Sequence, residues 1–215
     1  MKALLSTTYF GPIQWYQKLY RHETVEIEQW ESFLKQTYRN RCLIATTQGI
    51  QALTVPIERG TSQQIRDIRI SDHGNWRHLH WNALVSAYGE SPFFEYYQDD
   101  IRPFFEHRWD YLFDFNEAIR EKMCELLDIQ PKVGYTSAFA NHGDRHHDLR
   151  DASITVSVPM IHDFREAINP KHPQPDPDFE PKPYYQVYQQ KHGFLLNLSI
   201  LDLLFNMGPE GIFYL

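Results

Sequence analysis

The residues best placed to do chemistry in this chain of 215 residues form a few separate groups, the most informative of them near its end. Leu198, Ile200, Leu201, Leu203, Leu204, Phe205 and Met207 surround nearly the whole circumference of one expected helix, so that helix should be buried. Ser199, Asp202 and Asn206 nevertheless recur at i, i+3 and i+7 and, at about 100° per residue, share one face. A buried carboxylate without partners is costly. Asp202 therefore belongs either to a structural network tying the helix to a loop or an arginine, or to the floor of a ligand pocket. Tyr38-Arg39-Asn40-Arg41 places two guanidiniums around an amide just before a strand, a composition suited to bidentate phosphate or carboxylate recognition. His80 follows Trp76 by four residues and precedes Leu84 and Tyr88 on the same face. It is a hydrogen-bonded core histidine or, if it lies in a pocket, the natural general acid or base.

Two further segments carry polar chemistry. Asn141 to Asp148 holds His142, His146 and His147 with Asp144 and Asp148, so His142 and His146 sit four apart. No HExxH or paired CxxC accompanies them, and Arg145 and Arg150 interrupt the set, which favours a solvated polar loop over a metal-dependent hydrolase site. The Ser6–Gly11 loop leads into a helix start at Pro12, where free N–H groups can hold an anion. There is no Walker A pattern and no GxGxxG.

Stepping out to the elements, Ala3 to Leu5 reads as a strand. Ile13, Tyr16, Leu19 and Tyr20 give an amphipathic helix after Pro12, and Thr24 to Glu28 alternates as a second strand, completing a β-α-β unit. Arg41–Thr46 and Ile50–Ile57 flank Gly49 as a hairpin with Leu53, Val55 and Ile57 on one face. Asp72 is the expected cap of a helix with the stripe Trp76, Leu79, Ala83, Leu84, Ala87 and Tyr88. A helix runs from Pro92 towards Ile101, with a restart at Pro103. Asn116 is the expected cap of another, with Ile119, Met123, Leu126 and Leu127 on its core face. Lys132–Phe139 and Tyr184–Val187 read as strands. Residues 169–183 contain six of the 13 prolines and form an extended, exposed connection. The expected fold is α/β: an N-terminal β-α-β unit, a β-hairpin and several helices around a mixed sheet, closed by a buried C-terminal helix, in one domain over 1–215.

Composition narrows the function classes. With 21 Lys and Arg against 28 Asp and Glu, the formal charge is −7, and no long basic stretch offers a surface to nucleic acid. Aromatic residues make up 15% of the chain, enough for a packed interior. No run approaches the roughly 18 apolar residues of a membrane span, and the first residues lack the features of a signal peptide. Cys42 and Cys124 form neither a disulfide framework nor a CxxC site. A cytoplasmic location is expected.

Several of these segments together carry a resemblance. Thr7-Thr8-Tyr9-Phe10-Gly11-Pro12 followed by Trp15-Tyr16, the Tyr38–Arg41 stretch, Leu53-Thr54-Val55-Pro56, and the series Trp76, His80, Ala87-Tyr88, Pro92 and Phe94 are similar to motifs of the WbqC-like protein family. The longest match runs from Asn197-Leu198-Ser199-Ile200 through Asp202-Leu203-Leu204-Phe205-Asn206 to Gly208-Pro209-Glu210. Thr7-Thr8 stands where that family usually has Gln-Pro, and Tyr38 where it has tryptophan. The resemblance implies a protein of surface-polysaccharide biosynthesis, such as that of O-antigen. The expected activity is acyl or aminoacyl transfer to a sugar or nucleotide-linked sugar; the alternative is a noncatalytic binding or scaffold role in the same pathway. It names no cofactor and no oligomeric state. On the transferase reading, His80 and Asp202 handle protons, Arg39 and Arg41 hold phosphate or carboxylate, and Asn40, Ser199 and Asn206 orient the substrate between Tyr9 and Tyr88.

Overall fold

The computed structural model describes residues 1–58, 60, 63–140 and 161–215. Strand β1 (Lys2–Ser6) leads through the Thr7–Pro12 loop into helix α1 (Ile13–Arg21), which returns to β2 (Thr24–Glu28). β1 and β2 pair in parallel from Lys2↔Thr24 to Ser6↔Glu28, so the expected β-α-β unit is present. Strand β5 (Val133–Tyr135) adds in parallel to β2, and β6 (Ile161–Asp163) adds in parallel to the far side of β1, giving the order β5-β2-β1-β6. The chain thus moves to one side of β1 early and returns on its other side late. Strand order reverses at β1, the place where open parallel sheets leave a crevice beyond their carboxyl ends.

The hairpin of β3 (Arg41–Thr46) and β4 (Gly49–Thr54) forms with Leu53 and Val55 buried. Among the described residues it makes its own two-stranded sheet, so the expected mixed sheet is instead a parallel sheet and a separate antiparallel pair. The reason lies on the outer edge of β3. The Leu43 carbonyl accepts from Ser199 N–H (2.8 Å), and the Ala45 N–H donates to the Tyr88 hydroxyl (3.2 Å). A helix cap and a tyrosine thus satisfy groups that a third strand would otherwise take.

Helices α2 (Trp76–Tyr88), α3 (Phe94–Ile101), α4 (Pro103–Glu106) and α5 (Leu112–Leu126) fill the middle of the chain, with Pro103 at the start of α4. On α2 the inward face is Trp76, His80, Leu84, Ala87 and Tyr88, and Leu79 is 60% exposed, a correction to the expected stripe. Asp72 does not cap α2 but pairs with Arg77 (2.7 Å) and Arg108 (3.0 Å). Asn116 is likewise no cap. It lies inside α5, buried, donating to the Arg39 carbonyl (2.8 Å), because the helix begins four residues earlier. Tyr20, expected on the core face of α1, is half exposed, while Gln14, Gln17 and Lys18 are buried instead.

Residues 169–183 are extended and mostly exposed, as their prolines require. They are nevertheless fastened. The Asp176 side chain is largely covered, pairs with Lys18 (2.8 Å) and accepts from the Gln14 amide (2.8 Å). Residues 184–187 are not a strand, and a short helix α6 (Gln189–His192) follows. Helix α7 (Ile200–Met207) is buried around its circumference, as expected, with Ser199 as its side-chain cap. It ends at Gly208, whose φ is +55° and whose hydrogen faces the Phe93 ring, where a Cβ would lie 2.6 Å from a ring carbon. No helix among the described residues is long and apolar enough to cross a membrane.

Candidate functional site

Most of the residues singled out from sequence are buried, and they fall into separate hydrogen-bonded networks. Asp202 is 0% exposed. Its Oδ1 accepts from the Tyr88 hydroxyl (2.9 Å), and its Oδ2 from the Tyr184 hydroxyl (2.6 Å) and the Gln186 amide (3.0 Å). No arginine among the described residues is bound to it. Burial pushes its pKa up to about 6, against the pull of those three donors. Asn206 donates to the Asp202 carbonyl (2.7 Å) and accepts from Val187 N–H (3.2 Å), while Ser199 donates to the Phe10 carbonyl (2.8 Å). The polar stripe of α7 therefore ties that helix to α2, to residues 184–187 and to the Thr7–Pro12 loop.

His80 is 6% exposed, and its Nδ1 lies 2.9 Å from the buried Tyr9 hydroxyl. Burial lowers its pKa to about 4, so it is neutral at physiological pH. It belongs to a network separate from that of Asp202. Asn40 donates to the Val55 carbonyl (2.8 Å). Arg41 is half-buried on β3 and donates to the hydroxyl of its cross-strand partner Thr54 (2.9 Å). The helix start after Pro12, expected as an anion seat, is occupied by the chain itself: Ile13 N–H donates to the Leu198 carbonyl (3.0 Å) and Gln14 N–H to the Asn197 side chain (2.9 Å). Gly11 brings this turn against Thr8, where a Cβ would meet the hydroxyl at 2.3 Å. The His142–Asp148 cluster lies outside the described residues. Among those described, no three His, Cys, Asp or Glu side chains are grouped to hold a metal.

Of the expected site residues, Arg39 alone joins the carboxyl edge of the parallel sheet, where a different set of charges is gathered. The Arg39 guanidinium grips Glu31 bidentately (2.8 and 2.5 Å) and donates to Ser6 Oγ (2.8 Å), which itself donates to Glu31 (3.1 Å). Beside them Glu28, the last residue of β2, accepts from Thr136 Oγ1 (2.8 Å) and the Ala140 and Trp30 N–H groups (2.9 and 2.8 Å), with Arg165 at 3.5 Å. Arg165 also grips Asp163 at the end of β6 (2.7 Å). Each buried charge here has an opposite charge or several donors, the condition under which ions persist in an interior.

Gln29 and Tyr135, the chain neighbours of Glu28 and Thr136, help to line a separate cleft of about 510 Å³, together with Arg66, Asp67, Asp114, Glu117 and the rings of Tyr111 and Phe113. Gln29 and Tyr135 come from the carboxyl ends of β2 and β5, and residues 111–117 from the start of α5. Glu117 is 8% exposed and sits at the cleft's inner end. Its Oε1 accepts from the Thr7 hydroxyl (3.2 Å), and its Oε2 from Arg120 (2.7 Å) and the Tyr135 hydroxyl (3.2 Å). Burial raises its pKa, outweighing the Arg120 guanidinium and the three hydrogen bonds. A buried carboxyl with a raised pKa at the end of a concave, aromatic-walled cleft is suited to exchange protons with a bound molecule. Sequence reasoning missed Glu117, Tyr135, Glu28, Glu31 and Arg165. One signal was present: Glu28 ends the second expected strand of the β-α-β unit, and Ser6 immediately follows the first. Asp114 and Glu117 carry none, because acidic residues near a helix start are ordinary.

The model of the WbqC-like protein family matches residues 7–214, and the chain belongs to that family. It is 29% identical over 193 residues to the uncharacterized protein Rv1507c of Mycobacterium tuberculosis, covering 85% of this chain and 83% of that one. No solved structure matches.

Proposed function

We propose that this WbqC-like protein is a transferase of surface-polysaccharide biosynthesis that passes an acyl or aminoacyl group to a sugar, free or nucleotide-linked, held in the Glu117 cleft. The pathway comes from the family resemblance. The chemistry comes from one observation: a buried carboxyl whose pKa is raised closes a cleft walled by three aromatic rings. The lining carries Asp67, Asp114 and Glu117 against one guanidinium, Arg66, which lies 3.7 Å from Asp67 and 4.4 Å from the Trp30 ring centroid. With Asp67 beside Arg66 and Glu117 paired to Arg120, Asp114 tips that balance towards a cation, and the ring faces suit an ammonium and the C–H face of a sugar. An amino sugar meets both demands.

Its ammonium must lose a proton before nitrogen can form a bond to the acyl carbonyl carbon, while the donor's thiol or hydroxyl leaves with a proton. Glu117 is the base for the first transfer, its raised pKa bringing it closer to neutral pH. On this reading Tyr9, Asn40, His80, Tyr88, Ser199, Asp202 and Asn206 hold the frame, and Arg39 fixes Glu31 at the carboxyl edge of the parallel sheet.

The test is a thermal-shift screen with glucosamine, UDP-N-acetylglucosamine and acetyl-CoA, followed by mass spectrometry of the acceptor. A ligand at about 100 times its dissociation constant stabilises the fold by about 2.7 kcal/mol. Support would be a shift from an amino sugar that Glu117→Gln abolishes, together with an acylated product. Binding without transfer to any activated donor would leave a binding protein, and binding indifferent to Glu117→Gln would place the site elsewhere.

A further inference from the structure

Glu117 meets a ligand through a crowded carboxyl, with donors on three of its roughly four acceptor sites. Thr7 takes one oxygen; Arg120 and Tyr135 share the other. Thr7 is fully buried, and Arg120 is buried and keeps its proton at any physiological pH. Tyr135 differs. It is 44% exposed, stands on the cleft wall at the end of β5, and its hydroxyl donates to Glu117.

We infer that Tyr135 is a catalytic residue that relays the proton between a ligand in the cleft and the Glu117 carboxylate. The inference rests on the proposed use of this cleft. In the step, the Tyr135 oxygen accepts a proton from the acceptor's ammonium or hydroxyl while its own proton passes to Glu117 Oε2. The phenol ends as it began, Glu117 becomes neutral, and the acceptor gains a free lone pair. Burial and the Glu117 charge raise the phenol's pKa, so it enters the step protonated. The ionisable groups interacting with Glu117 are Arg120 and Cys124 on α5, Tyr16 on α1 and Tyr135 on β5. Among these, Tyr135 alone combines a hydrogen bond to the carboxyl with a place on the cleft wall and a removable proton.

Two measurements on the full chain without ligand test the route. Carbodiimide and glycinamide labelling, read by mass spectrometry, should modify Glu117 slowly in the wild type and at least about tenfold faster in Tyr135→Ala, with Thr7→Val unchanged. Labelling of the wild type as fast as Tyr135→Ala would overturn the inference, because the carboxyl would then be open to the cleft directly. Carbon-13 NMR titration, assigned by comparison with Glu117→Gln, should show the Glu117 midpoint raised by about half a pH unit or more in Tyr135→Phe. That variant keeps the ring packed on Phe113 (5.8 Å between centroids), so a midpoint that does not move means no hydroxyl bond and no relay. Where transfer is measurable, Tyr135→Phe should lower kcat by at least about tenfold with KM unchanged. An unchanged kcat also overturns the relay. Failure of the sugar screen would sink the transferase reading while leaving the labelling and titration results to decide the proton route.

Discussion

Two buried carboxyls, Asp202 on α7 and Glu117 on α5, invite comparison because burial raises the pKa of both. Asp202 is closed in by two tyrosine hydroxyls and an amide, all neutral and almost wholly buried. Glu117 is held by a guanidinium and two hydroxyls, one of which stands in an open cleft. A perturbed pKa by itself does not separate a frame from a site. Access does, and access here is decided by which partner is exposed. The densest run of family-like residues surrounds the closed carboxyl, which is what a segment shared for its packing would show.

The comparison can be broken most forcefully at Glu117. Glu117→Gln should lower transfer about 10²- to 10⁴-fold, or about 3–5 kcal/mol of barrier, with a much smaller change in the unfolding midpoint. Transfer that survives the change would return the chemistry to another group. Next in size is Arg39→Ala, which leaves Glu31 buried without its cation and should cost about 3–5 kcal/mol of stability in urea titration. A near-silent result would mean that Glu31 reaches water.

The closed carboxyl makes a pH prediction. The ordinary aspartate value is 3.8 and the folded value about 6, so the folded state binds a proton in that interval that the unfolded state does not. Its contribution to stability is therefore fully present below about 3.8 and is lost as pH rises through about 6, a span of about 3 kcal/mol. Asp202→Asn should remove that slope from stability measured between pH 4 and pH 7; an unaltered slope would assign it to other groups. The smallest effect is expected at Arg41, whose side chain, among the described residues, donates to Thr54. Arg41→Ala should change stability by no more than about 0.5 kcal/mol and leave amino-sugar affinity unchanged, and a loss of affinity would restore Arg41 as a ligand contact.

Much of the frame could be read directly from residue order. The β-α-β opening, the hairpin around Gly49, the restart at Pro103, the extended proline run and the burial of α7 all follow from local patterns: alternation, helical periodicity and residues that restrict φ. The readings that failed depended on partners. Asn116 looks like a cap until α5 proves to start at Leu112, and Leu79 looks like core until His80 takes the inward position. Asp202 was legible as buried and in need of partners, but not which ones: Tyr88 stands 114 residues away.

Sequence alone determined that the last helix would be buried and carry a carboxylate in need of partners, that the chain would open with a β-α-β unit, and that it would resemble the WbqC-like family. Tertiary structure alone decided that the carboxyl facing a cleft is Glu117, held by a threonine 110 residues away at the end of β1 and by a tyrosine at the end of β5. Local propensity acts over a few residues and leaves its mark in spacing. Desolvation and access depend on which distant elements pack together, so they leave no periodic trace in the chain.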